Sequence, residues 1–194
     1  MNLTSSNVLV DRLSGERSTA RDLLWIVFFS LLSGLLAQIE IRLPFTPVPL
    51  TGQTFAVLLS GAVLGCRRGF LSQVAYLAEG LAGLPVFAGG SAGVAALLGP
   101  TGGYLWSFPL AAALLGWLVE RGASRASWKL AGALILADSL ILLVGASWLH
   151  GLFRFPYPQA LLLGLYPFLI GDIVKVVLVG LSLPLALKRL PPSY

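Results

Sequence analysis

The chain has 194 residues, of which 57% are hydrophobic and only 11% charged. With a mean hydropathy of +0.87, this composition excludes an ordinary soluble domain and marks an integral membrane protein. The length suits one bundle of about six helices at roughly 20 residues per crossing. The formal charge of +5 does not indicate a nucleic-acid partner, because the basic residues lie at the ends of apolar runs and not in one dense patch with interleaved aromatics.

Residues 1–22 form a polar segment that precedes the first apolar run. Cleavage there as a signal peptide would remove only the first of several similar spans, so a retained first helix is expected. Apolar runs follow at about 23–41, 52–65, 69–84, 101–119, 128–149 and 159–187. They predict an all-α membrane domain of six transmembrane helices over residues 23–187, with 188–194 as a tail.

Span one contains SLLSGLLA, in which Ser30 and Gly34, and also Ser33 and Ala37, are small residues four apart. Such spacing lets helices approach closely, whether the neighbour is another span or a separate membrane protein. Next comes LPFTPVPLTGQ, where Pro44, Pro47 and Pro49 disfavour helix and predict irregular chain dipping toward the membrane. Backbone of that kind is tolerated at depth only where protein buries it or where it lines a cavity. Gln53, at the entrance to span two, can donate and accept at once.

Cys66 is the only cysteine, so neither an intrachain disulfide nor a cysteine-based metal cluster can form. In span three, Tyr76 and Glu79 sit one turn apart; a ligand role competes with interfacial anchoring for the first and snorkelling for the second. The following segment, LPVFAGGSAGVAALLGPTGGY, carries no charge and has glycines at 89, 90, 93, 99, 102 and 103. It predicts a turn-rich lid on the same side of the membrane as the proline-rich segment.

Asp138 falls in the middle of span five, facing either the same cavity or a neighbouring helix. His150, the single histidine, lies in the loop before span six, where a solvated side chain is expected. In span six, Asp172 and Lys175 are three residues apart and share one helix face with Phe168. Ionised groups in hydrocarbon cost several kcal/mol unless paired or facing a wet cavity, so the pair is either a structural lock or part of a ligand site.

Charge asymmetry sets the orientation. With the N-terminus in the cytoplasm, internal segments hold Arg12, Arg17, Arg21, Arg67, Arg68, Arg121, Arg125, Lys129, Lys188 and Arg189, against Arg42 and Arg154 outside. Ten against two is the bias of the positive-inside rule and places both termini in the cytoplasm. HExxH and Walker motifs are missing from the sequence. An intramembrane enzyme acting on a lipid-linked substrate through Asp138, Asp172 and Glu79 therefore has no motif behind it.

Four segments in order, PFTPVPLTGQTF (44–55), YLAEGLAGLPVFAGGSAG (76–93), GPTGGYL (99–105) and GDIVKVV (171–177), resemble the BioY family, the biotin-binding S components of energy-coupling-factor transporters. The resemblance runs over about residues 25–187. It implies a six-helix S-component fold in the cytoplasmic membrane of a prokaryote, surrounded by lipid, that binds biotin from outside without a cofactor and is not an enzyme.

By the same resemblance, Asp172 and Lys175 take part in the biotin site. Gln53 and its proline-rich approach close the pocket together with Gly89, Gly90 and Ser91, and Tyr76, Glu79 and Tyr104 contribute. The resemblance also implies a transmembrane T component and two ATP-binding subunits as partners, with the small residues of the first helix, here Ser30 and Gly34, as docking positions. A solitary biotin facilitator, oligomeric when alone, and an S component for a different vitamin are the alternatives.

Overall fold

In a computed structural model of the chain, residues 8–14 and 18–189 are described. Their helices are α1 (Leu9–Ser14), α2 (Thr19–Ala37), α3 (Gln53–Leu64), α4 (Cys66–Leu81), α5 (Gly93–Leu98), α6 (Gly102–Glu120), α7 (Ser127–Phe153), α8 (Tyr157–Gly164) and α9 (Leu169–Arg189). A two-residue hairpin, β1 (Glu40–Ile41) with β2 (Leu50–Thr51), joins α2 to α3 and pairs antiparallel, Glu40 opposite Thr51. Arg17 lies outside the described residues, as do the last residues of the expected C-terminal tail.

Each of the six apolar runs contains helix, and the fold is that of an all-helical membrane bundle. Three helices, α2, α6 and α7, are long and apolar enough to cross a membrane, and a fourth span results if α8 and α9 count as one. Helix α3 has only 12 residues, about 18 Å at 1.5 Å per residue, and α4 has 16. Helix length and composition account for three or four of the six crossings expected. Helix α3 is buried along nearly its whole length from Gln53 to Leu64.

The sixth run is not one straight helix. Helices α8 and α9 meet at a 52° bend across Leu165–Phe168, where Pro167 removes a backbone donor and disfavours helix at the residue before it. The bend starts α9 at Leu169 and puts Asp172 in its first turn, where the partial positive charge of the helix N-terminus favours a carboxylate. Helix α7 runs four residues past the predicted end of span five, so His150 belongs to its last turn, with Nδ1 2.6 Å from the Phe155 carbonyl.

Close helix approach depends on glycine at the centre of the bundle. A Cβ on Gly61 of α3 would lie 2.5 Å from the Ala112 carbonyl oxygen of α6, and one on Gly116 would lie 2.3 Å from the Gly65 carbonyl carbon. The small residues of α2 serve the same purpose within the chain. Ser30 and Ser33 are fully buried, and a Cβ on Gly34 would meet Val86 at 3.1 Å.

At the end of the bundle carrying Arg67, Arg68 and Arg121, the short α1 inserts Val10 among Leu58, Val119 and Val179. The Arg68 guanidinium binds Asp11 of α1 at 2.6 Å and Asp22 of α2 at 3.0 Å. Such a charge-assisted fork fixes geometry as well as adding energy. Arg42 and Arg154 occupy the opposite, hairpin end, in agreement with the segregation of basic residues along the sequence.

Gly61→Val should overpack the α3–α6 contact. A stability loss of about 2 kcal/mol is expected, read as an earlier loss of the folded species in thermal unfolding of the detergent-solubilised protein.

Candidate functional site

A partly open pocket lies near the hairpin end. Five parts of the chain build it. The hairpin segment gives Val48, Pro49 and Thr51, α3 gives Gln53 and Thr54, and the α6 region gives Thr101, Tyr104, Leu105 and Phe108. Leu142 comes from α7, and Phe168, Asp172 and Lys175 come from the bend and first turns of α9. The wall is mainly apolar, with polar groups converging on one side.

Those polar groups form a closed triangle. Lys175 Nζ donates to Asp172 Oδ1 at 2.9 Å and to Thr54 Oγ1 at 2.7 Å, while Thr54 Oγ1 is 3.5 Å from the same carboxylate oxygen. Asp172 is 3% exposed, and its other oxygen, Oδ2, is buried without a hydrogen-bond partner. An ammonium has three protons, so one donor remains on Lys175 beyond these two contacts. The site therefore offers an open acceptor beside an open donor, in an environment where an unmet polar group costs roughly 1 to 3 kcal/mol.

Tyr104 lines the opposite wall. Its ring packs 5.9 Å from that of Phe168 and its hydroxyl donates to the Gly164 carbonyl, tying α6 to the α8–α9 bend. The ring fits because residue 145 is glycine: a Cβ there would lie 2.2 Å from it.

Gln53 reaches the cavity while Nε2 donates to Tyr76 Oη at 2.6 Å and Oε1 accepts from Thr51 Oγ1 at 3.0 Å. Tyr76, fully buried, passes the chain on to the Val86 carbonyl at 3.0 Å and meets Phe87 edge-on. Phe87 in turn occupies the space left by Gly80, whose added Cβ would fall 2.0 Å from the ring. Tyr76 thus supports the site from behind and holds the glycine-rich segment down.

Of the residues singled out in the sequence, Asp172, Lys175, Gln53, Tyr104 and Phe168 line the cavity, and Tyr76 touches it through Gln53. Glu79 does not line it; Oε1 accepts from Ser30 Oγ at 2.7 Å across the α2–α4 interface. Gly89, Gly90 and Ser91 form a tight turn at the hairpin end outside the cavity lining. Gly89 and Gly90 have φ of 63° and 71°, a region other residues rarely adopt. A Cβ on Gly89 would lie 2.7 Å from Arg42, which is paired with Glu40 at 2.9 Å. The turn and the hairpin therefore touch one another.

Ser30 and Gly34 require a correction. Both are buried against α4 and the Val86 segment, so the small-residue stripe packs two helices of this chain and presents no open surface to a separate protein. The outward face of α2 carries Leu24, Phe28, Leu31 and Leu35. Thr54, Thr51, Phe108 and Leu142 line the site without having been singled out. Thr54 lies inside the quoted TGQTF segment, but a hydroxyl in an apolar helix gives no sign of its partner. Phe108 and Leu142 read as ordinary core.

Tyr76→Phe would strand the Val86 carbonyl and the Gln53 amide. A stability loss of roughly 1 to 3 kcal/mol is expected, with faster hydrogen exchange across residues 84–93 as the local readout.

The BioY family model matches residues 8–192. A probable biotin transporter BioY of Pyrococcus horikoshii is 42% identical over 156 residues, covering 80% of this chain and 90% of that one. The biotin transporter BioY of Thermotoga maritima is 39% identical over 150 residues, covering 77% and 86%. The crystal structure of the S-component for biotin from an ECF-type ABC transporter superposes with a TM-score of 0.82 at 27% identity, covering 90% of this chain and 96% of that one. The chain belongs to the BioY family.

Proposed function

We propose that this protein is the biotin-binding membrane subunit of a vitamin uptake system, with Asp172, Lys175, Thr54 and Gln53 as the polar contacts to the ligand. The observation that carries the reading is the open acceptor of Asp172 beside the spare donor of Lys175, in an apolar cavity beneath two turn-rich segments. Relatives named biotin transporters support the ligand.

Biotin matches that lining. Its ureido ring presents two N–H donors and a carbonyl acceptor, its thioether ring is apolar, and its tail ends in a carboxylate. An ureido N–H meets Asp172 Oδ2, the Lys175 ammonium donates to an oxygen of the ligand, and Phe108, Leu142 and Phe168 receive the apolar rings. A ligand lacking these groups would leave buried partners unmet, which is the physical origin of discrimination.

The protein sits in the cytoplasmic membrane of a prokaryote with the hairpin end outside. The proline-rich hairpin and the Ala88–Ser91 turn act as lids. No covalent step is needed. Release inside follows a rearrangement powered by a transmembrane T component and two ATP-binding subunits, and those partners dock on a surface other than the buried Ser30–Gly34 stripe.

Equilibrium binding to the purified chain tests the reading, with thiamine and riboflavin as competitors. Saturable biotin binding that neither competitor displaces is expected, and Asp172→Asn and Lys175→Ala should each weaken it about tenfold or more while the protein stays folded. Folded protein without saturable biotin binding would refute the ligand assignment. Copurification of ATPase subunits after mild solubilisation is expected for the energised system; transport by the chain alone in vesicles would identify a solitary facilitator.

A further inference from the structure

One buried carboxylate has no place in the site so far described. Asp138 lies midway along α7, is 6% exposed and has a buried Oδ1 with no hydrogen-bond partner. Leu142, one turn nearer the hairpin end on the same face, lines the cavity. Asp138 is therefore the next side chain beneath the cavity floor. It stands where two apolar clusters meet, with Ile141 and Leu142 in the one above and Leu134 and Ala137 in the one below.

The register of α7 against α9 fixes its neighbours. The helices run antiparallel, and Leu134 lies beside Gly180, 3.7 Å from where a Cβ on that glycine would be. Four residues along α7 to Asp138 correspond to about four residues back along α9, to Val176, next to Lys175. By this register Asp172 and Lys175 are the charged groups near Asp138. The Lys175 ammonium is held by Asp172 and by Thr54, and the two carboxylates flank it without Asp138 being bonded to it. A buried carboxylate oxygen without a partner is costly, and the flexible four-carbon stem of lysine lets its ammonium change partners.

We propose that Asp138 is a positioning residue for Lys175, the second counter-charge that receives its ammonium when a ligand N–H engages Asp172. In the structure Lys175 Nζ donates to Asp172 Oδ1. On binding, the ligand N–H takes Asp172 Oδ2 and shares that carboxylate with Lys175, and Asp138 supplies the lysine with a second counter-charge as it turns to the ligand oxygen. The proposal rests on the biotin-binding reading and adds to it a residue beneath the cavity.

The test is equilibrium biotin binding to the purified full chain carrying Asp138→Asn or Asp138→Glu, with ligand-free thermal unfolding measured alongside. Asp138→Asn removes the charge but keeps the shape, and about a tenfold loss of affinity is expected with an unlowered unfolding temperature. Asp138→Glu should restore most of the affinity. In a Lys175→Arg background, which retains a cation of different reach, the effect of Asp138→Asn should shrink, because the two residues act through one contact. Unchanged affinity in Asp138→Asn, or equal losses in both variants together with lowered unfolding temperatures, would overturn the role. Failure of the wild-type chain to bind biotin would overturn the functional reading beneath it as well.

Discussion

The structure depends on how one ammonium and its carboxylate are held inside an apolar bundle. A charge there is tolerated only if its neighbours satisfy it, and the bend between α8 and α9 makes that feasible. Pro167 breaks the last apolar run, the new helix begins at Leu169, and Asp172 falls in its first turn, where the helix dipole favours negative charge. Lys175 follows one turn later, within reach of Asp172 and of Thr54 on α3. The same break turns Phe168 into the cavity, so charge, aromatic wall and helix start share one cause. Discontinuous helices with ligand groups at the break are a recurrent arrangement in membrane transport proteins.

Around that point, the rest of the fold supplies rigidity. Helix α3 carries both Gln53 and Thr54 and is wedged between α4, α6 and α9 by close contacts at Gly61 and Gly116. A short buried helix is a sound base for a site, since surrounding elements restrain its side chains. The hairpin end is less uniform. The Ala88–Ser91 turn is pinned by Phe87 in the Gly80 notch and by the Tyr76–Val86 hydrogen bond, whereas its glycines keep the backbone turn small. The proline-rich hairpin is tied to α8 through Thr46 and the Leu163 carbonyl at 2.7 Å. Both coverings are thus attached at a few polar points to a rigid frame, an arrangement suited to opening for a ligand.

The polar residues of α2 and α4 show why spacing by itself is ambiguous. Ser33 and Ser60 meet Gln73 at 3.3 Å and 3.1 Å, and Ser30 meets Glu79. These contacts bind three helices of one chain where no hydrophobic driving force distinguishes protein from lipid. A small-residue stripe promises close approach to something. Here the nearest available helix, α4, takes it, and Glu79 is drawn to that interface and away from the cavity.

Composition and hydropathy determined that the chain is a helical membrane protein, and the distribution of arginine and lysine determined which helix ends lie together. Helical spacing determined that Asp172, Lys175 and Phe168 share a face, because that periodicity is local. The family resemblance named Gln53 and Tyr104, which line the cavity. Only the tertiary structure decided that Thr54 is the lysine's second partner, that Leu142 and Phe108 belong to the cavity, and that Ser30 and Gly34 face inward. It also decided that the second apolar run is buried along nearly its whole length and that Asp138 has an oxygen buried without a partner. The physical reason is the same in each case: which side chains meet across helices is set by the close approach of α3, α6, α7 and α9, and no single helix carries that information in its own pattern.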